Sequence, residues 1–241
     1  ALMQSADAME VTVNRSVSLL DQARVLLEAG LLDEAAESLH RARALAEAEG
    51  VGQDLAEIEL DLARTKLLLG DPDGSAQLAA QARRRFQDRA ASSWRRRAQL
   101  VELEADSSAR HRPARTARLA AALADAAASD AESHVCRRAR LIEADALLDL
   151  GDAAGARTAY VAARPLLASA SLPTRLHLRL VAARLATAES ADASVAAGSA
   201  SRTLARAADD LARTQRRASS IDLRTALAVH SNRLALLDLG L

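Results

Sequence analysis

The chain has 241 residues, half of them hydrophobic, with 60 alanines, nine glycines, four prolines and only three aromatic residues, Phe86, Trp94 and Tyr160. Such a composition favours helix, excludes a β-sandwich or barrel built on aromatic and β-branched strands, and excludes disorder, because a chain this apolar can bury a core. Lys plus Arg (32) balance Asp plus Glu (32), so no net field draws the whole molecule to nucleic acid or to an anionic membrane.

The predicted elements alternate between first and second helices. A first helix over 14–29 ends at Gly30 and a second follows over 33–48; the next pair is 54–69, ending at Gly70, and 74–88. The third pair is 92–106 and 113–127, with its turn predicted within Ser107–Arg112 although no glycine stands there. The fourth is 132–150 and 153–169 around Gly151, the fifth 173–188 and 200–217, and a last first helix spans 220–239. Pro165 predicts a kink or an end near Arg164, and the Ser, Ala, Asp and Gly residues of Glu189–Ser199 predict a longer loop.

Repetition carries this division. Ala23, Ala63 and Ala144 each stand seven residues before a glycine: Gly30, Gly70 and Gly151. Gly30 and Gly70 are 40 residues apart, and Gly70 and Gly151 are 81 apart, two periods with one glycine missing. At offsets of 5, 9 and 12 after the glycine stand Ala35, Leu39 and Ala42; Ser75, Ala79 and Ala82; and Ala156, Tyr160 and Ala163. Those offsets place the three residues on one face of a helix. The glycine supplies a left-handed helix cap, and Asp33, Asp71 and Asp152 stand where an acidic side chain caps the next helix.

Small residues at a helix crossing and glycine at the turn resemble the tetratricopeptide repeat, although that unit runs about 34 residues rather than 40. The resemblance implies an all-α helical-repeat solenoid, a right-handed superhelix of about five and a half helix pairs, as one domain over 1–241. Its repeats fall near 14–48, 54–88, 92–127, 132–169 and 173–217, with a half repeat at 220–241. The competing reading is an irregular helical bundle.

No residue pattern suggests catalysis. Lys66, the only lysine, follows Thr65 and so makes no phosphate-binding loop. His40, His111, His134, His177 and His230 include no pair three or four apart, so no helix offers a paired metal site. Cys136 reads as a small core residue, two positions from His134 and on another side of its helix. The predictions are therefore no catalytic residue, no metal and no cofactor. No uncharged run approaches the roughly 18 residues of a membrane helix, and Ala1–Glu10 show no secretory pattern. Charge is segregated: residues 1–62 hold 13 acidic and 4 basic residues, whereas 83–118 hold 11 arginines and 4 acids. So acidic a neighbour argues against nucleic acid as the partner.

The residue after the repeated alanine is Arg24, Arg64 and Asp145 in three repeats. First helices line the inner surface of stacked helical pairs, where peptides bind, so these three are the candidate groove residues. Arg24 and Arg64 could hold a carboxylate, although the Asn and Lys of carboxylate-clamp repeats are absent.

A second resemblance is more specific. Asp209-Asp210-Leu211-Ala212-Arg213, Ser219-Ser220-Ile221-Asp222-Leu223-Arg224, Ala228-Val229-His230 and Leu234 through Leu241 resemble the end of the helical-repeat region in actinobacterial CHAT-domain proteins, where a caspase-like peptidase domain follows the repeats. This implies a cytoplasmic, non-catalytic scaffold or sensor that regulates such a domain and binds a protein or peptide. Other classes stay open: the repeat sensor of a bacterial transcriptional regulator or signalling ATPase, or a small-molecule or peptide carrier. The stripe ending the chain predicts an interface through Leu236, Leu237, Leu239 and Leu241, which would receive a further domain or pair with a second copy as a homodimer.

Overall fold

In the computed structural model, which describes residues 2–50, 52–165, 172–190 and 193–217, every regular element among the described residues is helical. The ten helices are α1 (Leu2–Ala29), α2 (Leu32–Glu49), α3 (Gly52–Leu68), α4 (Pro72–Asp88), α5 (Ser92–Ser108), α6 (Pro113–Ser129), α7 (Ser133–Asp149), α8 (Ala153–Ala163), α9 (Leu172–Glu189) and α10 (Ala193–Arg217). Helices adjacent in sequence pack on one another, α1 on α2, α3 on α4, α7 on α8 and α9 on α10, and first helices also meet, α1 with α3 and α7 with α9. This is the all-α helical-repeat class. The chain divides into two compact units, Ala1–Ala105 and Asp106–Leu241, with the division within α5.

The turns reveal a period half as long as the glycine spacing suggests. Among the described residues, seven turns carry a residue of positive φ at the end of the preceding helix, and the α5–α6 turn has a second, Arg112 (51°), just before α6; the seven are Gly30 (76°), Gly50 (70°), Gly70 (85°), Ala90 (54°), Arg110 (52°), Ala131 (59°) and Gly151 (78°). Successive members are 20 residues apart, except for 21 between Arg110 and Ala131. Both turns within a helix pair and turns between pairs therefore use one design. Six of these helix ends share the same closing hydrogen bond, in which the amide after the left-handed residue donates to the carbonyl five back: Leu31 to Leu26, Asp71 to Lys66, Ala91 to Phe86, His111 to Asp106, Glu132 to Ala127 and Asp152 to Leu147, all at 2.8–3.1 Å. This is the Schellman closure, which satisfies carbonyls that the ending helix leaves unpaired. The turn predicted without glycine is present, and Arg110 occupies its left-handed position.

Helix starts differ in how they are capped. Asp71 and Asp152 each accept a hydrogen bond from the amide three residues on, Gly74 and Gly155, at 2.9 Å. A Cβ on Gly74 would stand 2.5 Å from Asp71 Oδ2, so glycine lets the carboxylate close over the helix end. The Gly74 amide, and then Lys66, hold the Asp71 carboxyl below its ordinary value. Asp33 corrects the prediction: Leu31 precedes α2, no side chain caps it, and Asp33 lies inside the first turn.

Several boundaries also differ. α1 begins at Leu2 rather than near 14, because no glycine or proline interrupts that stretch. α10 begins at Ala193 rather than near 200, and absorbs Gly198 where a longer loop was predicted. α8 ends at Ala163, with Arg164 as its cap before Pro165, as the proline dictates. The predicted last helix over 220–239 lies outside the described residues.

The first unit buries Leu39, Ile58, Leu60, Leu62 and Phe86 among alanines 23, 42, 63, 79 and 82. The second buries Leu141, Leu178, Val181 and Leu185 with alanines 144, 156, 159 and 163, and Tyr160 packs on them half-buried. Alanine at the crossings lets helix axes come within about 8–10 Å. The polar faces of the first helices are thereby held side by side.

Candidate functional site: two carboxylate hubs on the first helices

In the first unit, Arg24 of α1 and Arg64 of α3 converge on one carboxylate. Arg24 Nε donates to Asp61 Oδ2 at 2.9 Å, and its terminal nitrogen donates to Glu57 Oε2 at 2.8 Å. Arg64 donates to the other oxygen of Asp61 at 2.7 Å. Asp61 is one helical turn before Arg64 on α3, and its side chain is 5% exposed, whereas those of Arg24 and Arg64 are 38% and 42% exposed. Burial opposes the charge of Arg24, and its bonds to Glu57 and Asp61 overcome that cost, raising its pKa. Burial, then the charge of Glu57, raises the Asp54 carboxyl. The two arginines that the sequence offered for an outside carboxylate are thus already engaged by the chain's own Asp61.

In the second unit, Asp145 of α7 is the centre. Its Oδ2 accepts from Ser107 Oγ at 3.3 Å and lies 3.3 Å from His177 Nε2 on α9. Arg184 of α9 donates to Asp145 Oδ1 and, through its other terminal nitrogen, to Asp149 one turn further along α7. Burial alone would raise the Asp145 carboxyl; His177, by hydrogen bond and charge, and then Arg184 outweigh it and lower the pKa to about 2. Asp145 is therefore ionised at neutral pH and accepts only, so Nε2 of His177 carries the proton between them.

Asp145, offered by the sequence as a groove residue, is an internal anchor, its side chain 14% exposed. Ser107, His177 and Asp145 are the residue types of a hydrolytic triad, but both Ser107 and His177 turn to the same carboxylate oxygen. A triad requires the base on the nucleophile, and here the serine donates to the aspartate. Among the described residues no group of three or more His, Cys, Asp or Glu side chains could hold a metal ion, and no helix is long and apolar enough to cross a membrane.

The partners Glu57, Asp61, Ser107, His177 and Arg184 were missed in the sequence. One signal was available: Arg184 follows Ala183 as Arg24 follows Ala23, Arg64 follows Ala63 and Asp145 follows Ala144. The C-terminal candidates Leu236, Leu237, Leu239 and Leu241 lie outside the described residues. Comparison with family models, with curated proteins and with solved structures gives no match.

Proposed function

We propose that the chain is a non-catalytic protein-interaction scaffold, the helical-repeat part of a cytoplasmic bacterial protein in which a caspase-like CHAT peptidase domain follows. The observation that supports this reading is the uniform helix-turn unit. It sets α1 beside α3 and α7 beside α9, each pair laced by ion pairs and still partly open to solvent. A surface built from repeated rigid helices suits an extended or helical peptide. Arg64 engages Asp61 through one terminal nitrogen, and its half-exposed guanidinium keeps other donors for a partner carboxylate. The hubs serve as positioning groups in this reading: they fix the faces that a partner would meet.

The test is the coding sequence downstream of Leu241 together with binding to the encoded domain. A caspase-like domain whose affinity for the repeats falls by about 1–3 kcal/mol in Arg24→Ala/Arg64→Ala, with helical content intact, supports the proposal. A nucleotide-binding or DNA-binding domain there supports a regulator's sensor instead. Peptide or ester hydrolysis by the purified chain that depends on one of its own residues would refute the non-catalytic reading.

A further inference from the structure

Contacts between neighbouring first helices keep a nearly fixed spacing, and one step of the first unit breaks their charge pattern. Arg24 of α1 bonds to Glu57 of α3, 33 residues on, and to Asp61, 37 residues on. Asp145 of α7 meets His177 of α9, 32 residues on. Arg64 stands on α3 where Arg24 stands on α1: each follows a fully buried alanine and precedes the glycine of its turn by six residues. Counted from Arg64, the spacings of 33 and 37 reach Arg97 and Val101 on α5. Arg97 is 13 residues before Arg110, as Glu57 is 13 before Gly70. Ala98 and Val101 share one core with Leu60 and Ala63 of α3. The step from α3 to α5 therefore sets a cation where α3 has Glu57, and a buried valine where α3 has Asp61.

Both guanidiniums turn back along their own helices. Arg64 bonds to Asp61, and Arg97 lies over the Trp94 ring, 4.9 Å from its centroid, in each case three residues back. Repulsion between like charges accounts for the absence of a crossing contact. Neither arginine has another ionic partner among the described residues, and no acid stands three or four residues from Arg97 on α5. Arg64 spends one terminal nitrogen on Asp61 and is half-exposed, and Arg97 is exposed. Trp94 is itself fixed by stacking on Phe86, with ring centroids 5.5 Å apart, so Arg97 loses little rotamer freedom when it meets an anion. An acid at this position would close the step internally; arginine forgoes that pair and leaves donors for a carboxylate from outside.

We infer that Arg64 and Arg97 together receive an acidic side chain of a protein partner, at the step that the chain's own residues leave open. The inference rests on the scaffold reading, which makes the first helices the face a partner meets, and it adds the partner's chemistry: a segment carrying Asp or Glu. The first hub holds the same arrangement internally, where the Asp61 carboxylate is taken between Arg24 and Arg64.

Two measurements on the full chain test this. The first needs no partner. The shift in melting temperature caused by Arg97→Glu should be about 1–3 °C more favourable in wild type than in Arg64→Ala, because only with Arg64 present does the new acid gain the contact that Glu57 makes with Arg24. The comparison cancels the lost contact with Trp94, and equal shifts overturn the inference by showing that the two positions do not face each other. The second measurement uses Trp94, the only tryptophan of the chain, as its probe. Hexaglutamate with an amidated C-terminus should change the Trp94 fluorescence saturably at low salt. Arg64→Ala and Arg97→Ala should each weaken that binding about tenfold or more, and Arg97→Glu should abolish it. No binding, or binding that both alanine variants retain, overturns the inference. Tighter binding of hexaglutamine with a free C-terminus overturns it by assigning the site to a chain end, and tighter binding of a single-stranded oligouridylate by assigning it to nucleic acid. A downstream domain that binds wild type and both alanine variants alike overturns this inference and leaves the scaffold reading standing. A downstream domain that does not bind, while hexaglutamate binds as expected, overturns the assignment of that domain alone.

Discussion

The two hubs solve one geometric problem with opposite signs. In the first unit a cation on α1, Arg24, reaches an anion 33 residues on, Glu57 of α3. In the second an anion on α7, Asp145, reaches a cationic or proton-donating group 32 residues on, His177 of α9. In both cases the residue after the repeated alanine crosses to the neighbouring first helix. The difference lies in which partner is buried: in the first hub the carboxylate Asp61 is 5% exposed while Arg24 and Arg64 are more than a third exposed, and in the second the cation Arg184 and both carboxylates, Asp145 and Asp149, are under a fifth. Polar character at this position thus belongs to the stacking of first helices, and the sign is free to invert provided that the neighbour inverts with it. How much each hub contributes follows from how much water it excludes.

The largest test removes the buried centre. Asp145→Ala leaves Arg184 buried beside a single remaining carboxylate, and such a loss costs about 3–5 kcal/mol. Arg24→Ala opens a pair in contact with solvent and costs about 1 kcal/mol or less. Urea denaturation of both variants checks the contrast, and equal losses would show that burial does not separate the hubs. Acid is a gentler probe. The Asp145 pKa is about 2 in the folded chain against 3.8 unperturbed. A carboxyl whose folded pKa is depressed contributes stability above its unfolded value and loses it as pH falls. About 2 kcal/mol should therefore disappear between about pH 4 and pH 2. Comparing denaturant midpoints of wild type and Asp145→Asn over that range isolates the contribution, and parallel profiles would assign the acid sensitivity elsewhere.

Smaller effects distinguish the caps and turns. Asp71→Ala and Asp152→Ala should each lose about 1 kcal/mol by removing an N-cap acceptor, whereas Asp33→Ala, which caps nothing, should leave the melting temperature nearly unchanged. At the turns, a left-handed non-glycine residue costs about 1–2 kcal/mol and glycine's extra chain entropy returns about 0.5–1 kcal/mol of that. Ala90→Gly and Ala131→Gly should therefore each raise stability by about 0.5–1 kcal/mol, and Gly70→Ala should lower it by a comparable amount. Calorimetry on the three variants checks the signs; a destabilised Ala90→Gly would mean that the Ala90 side chain makes a compensating contact.

Much of the fold is legible in the sequence because it is local. The glycine at 30, 70 and 151, the Asp-x-x-Gly caps at 71 and 152, Pro165 and the small-large-small faces each specify a helix end or a helix face through backbone geometry that neighbouring residues alone determine. Helix existence, the position of most turns and the buried status of Ala23, Ala63 and Ala144 follow from these. The 20-residue period was hidden because Ala90, Arg110 and Ala131 adopt the left-handed conformation without being glycine; the hydrogen bonds that close each turn, Ala91 to Phe86, His111 to Asp106 and Glu132 to Ala127, hold it against their intrinsic preference. The partners of the candidate residues were hidden for a different reason. Arg24, Arg64 and Asp145 were identifiable as residues at one repeated position, but whether a guanidinium there faces a ligand or another side chain depends on which helix lies alongside it. Coulomb energy depends on distances of a few ångströms, and Asp61, Glu57, His177 and Arg184 come within that range only once α1 lies on α3 and α7 on α9.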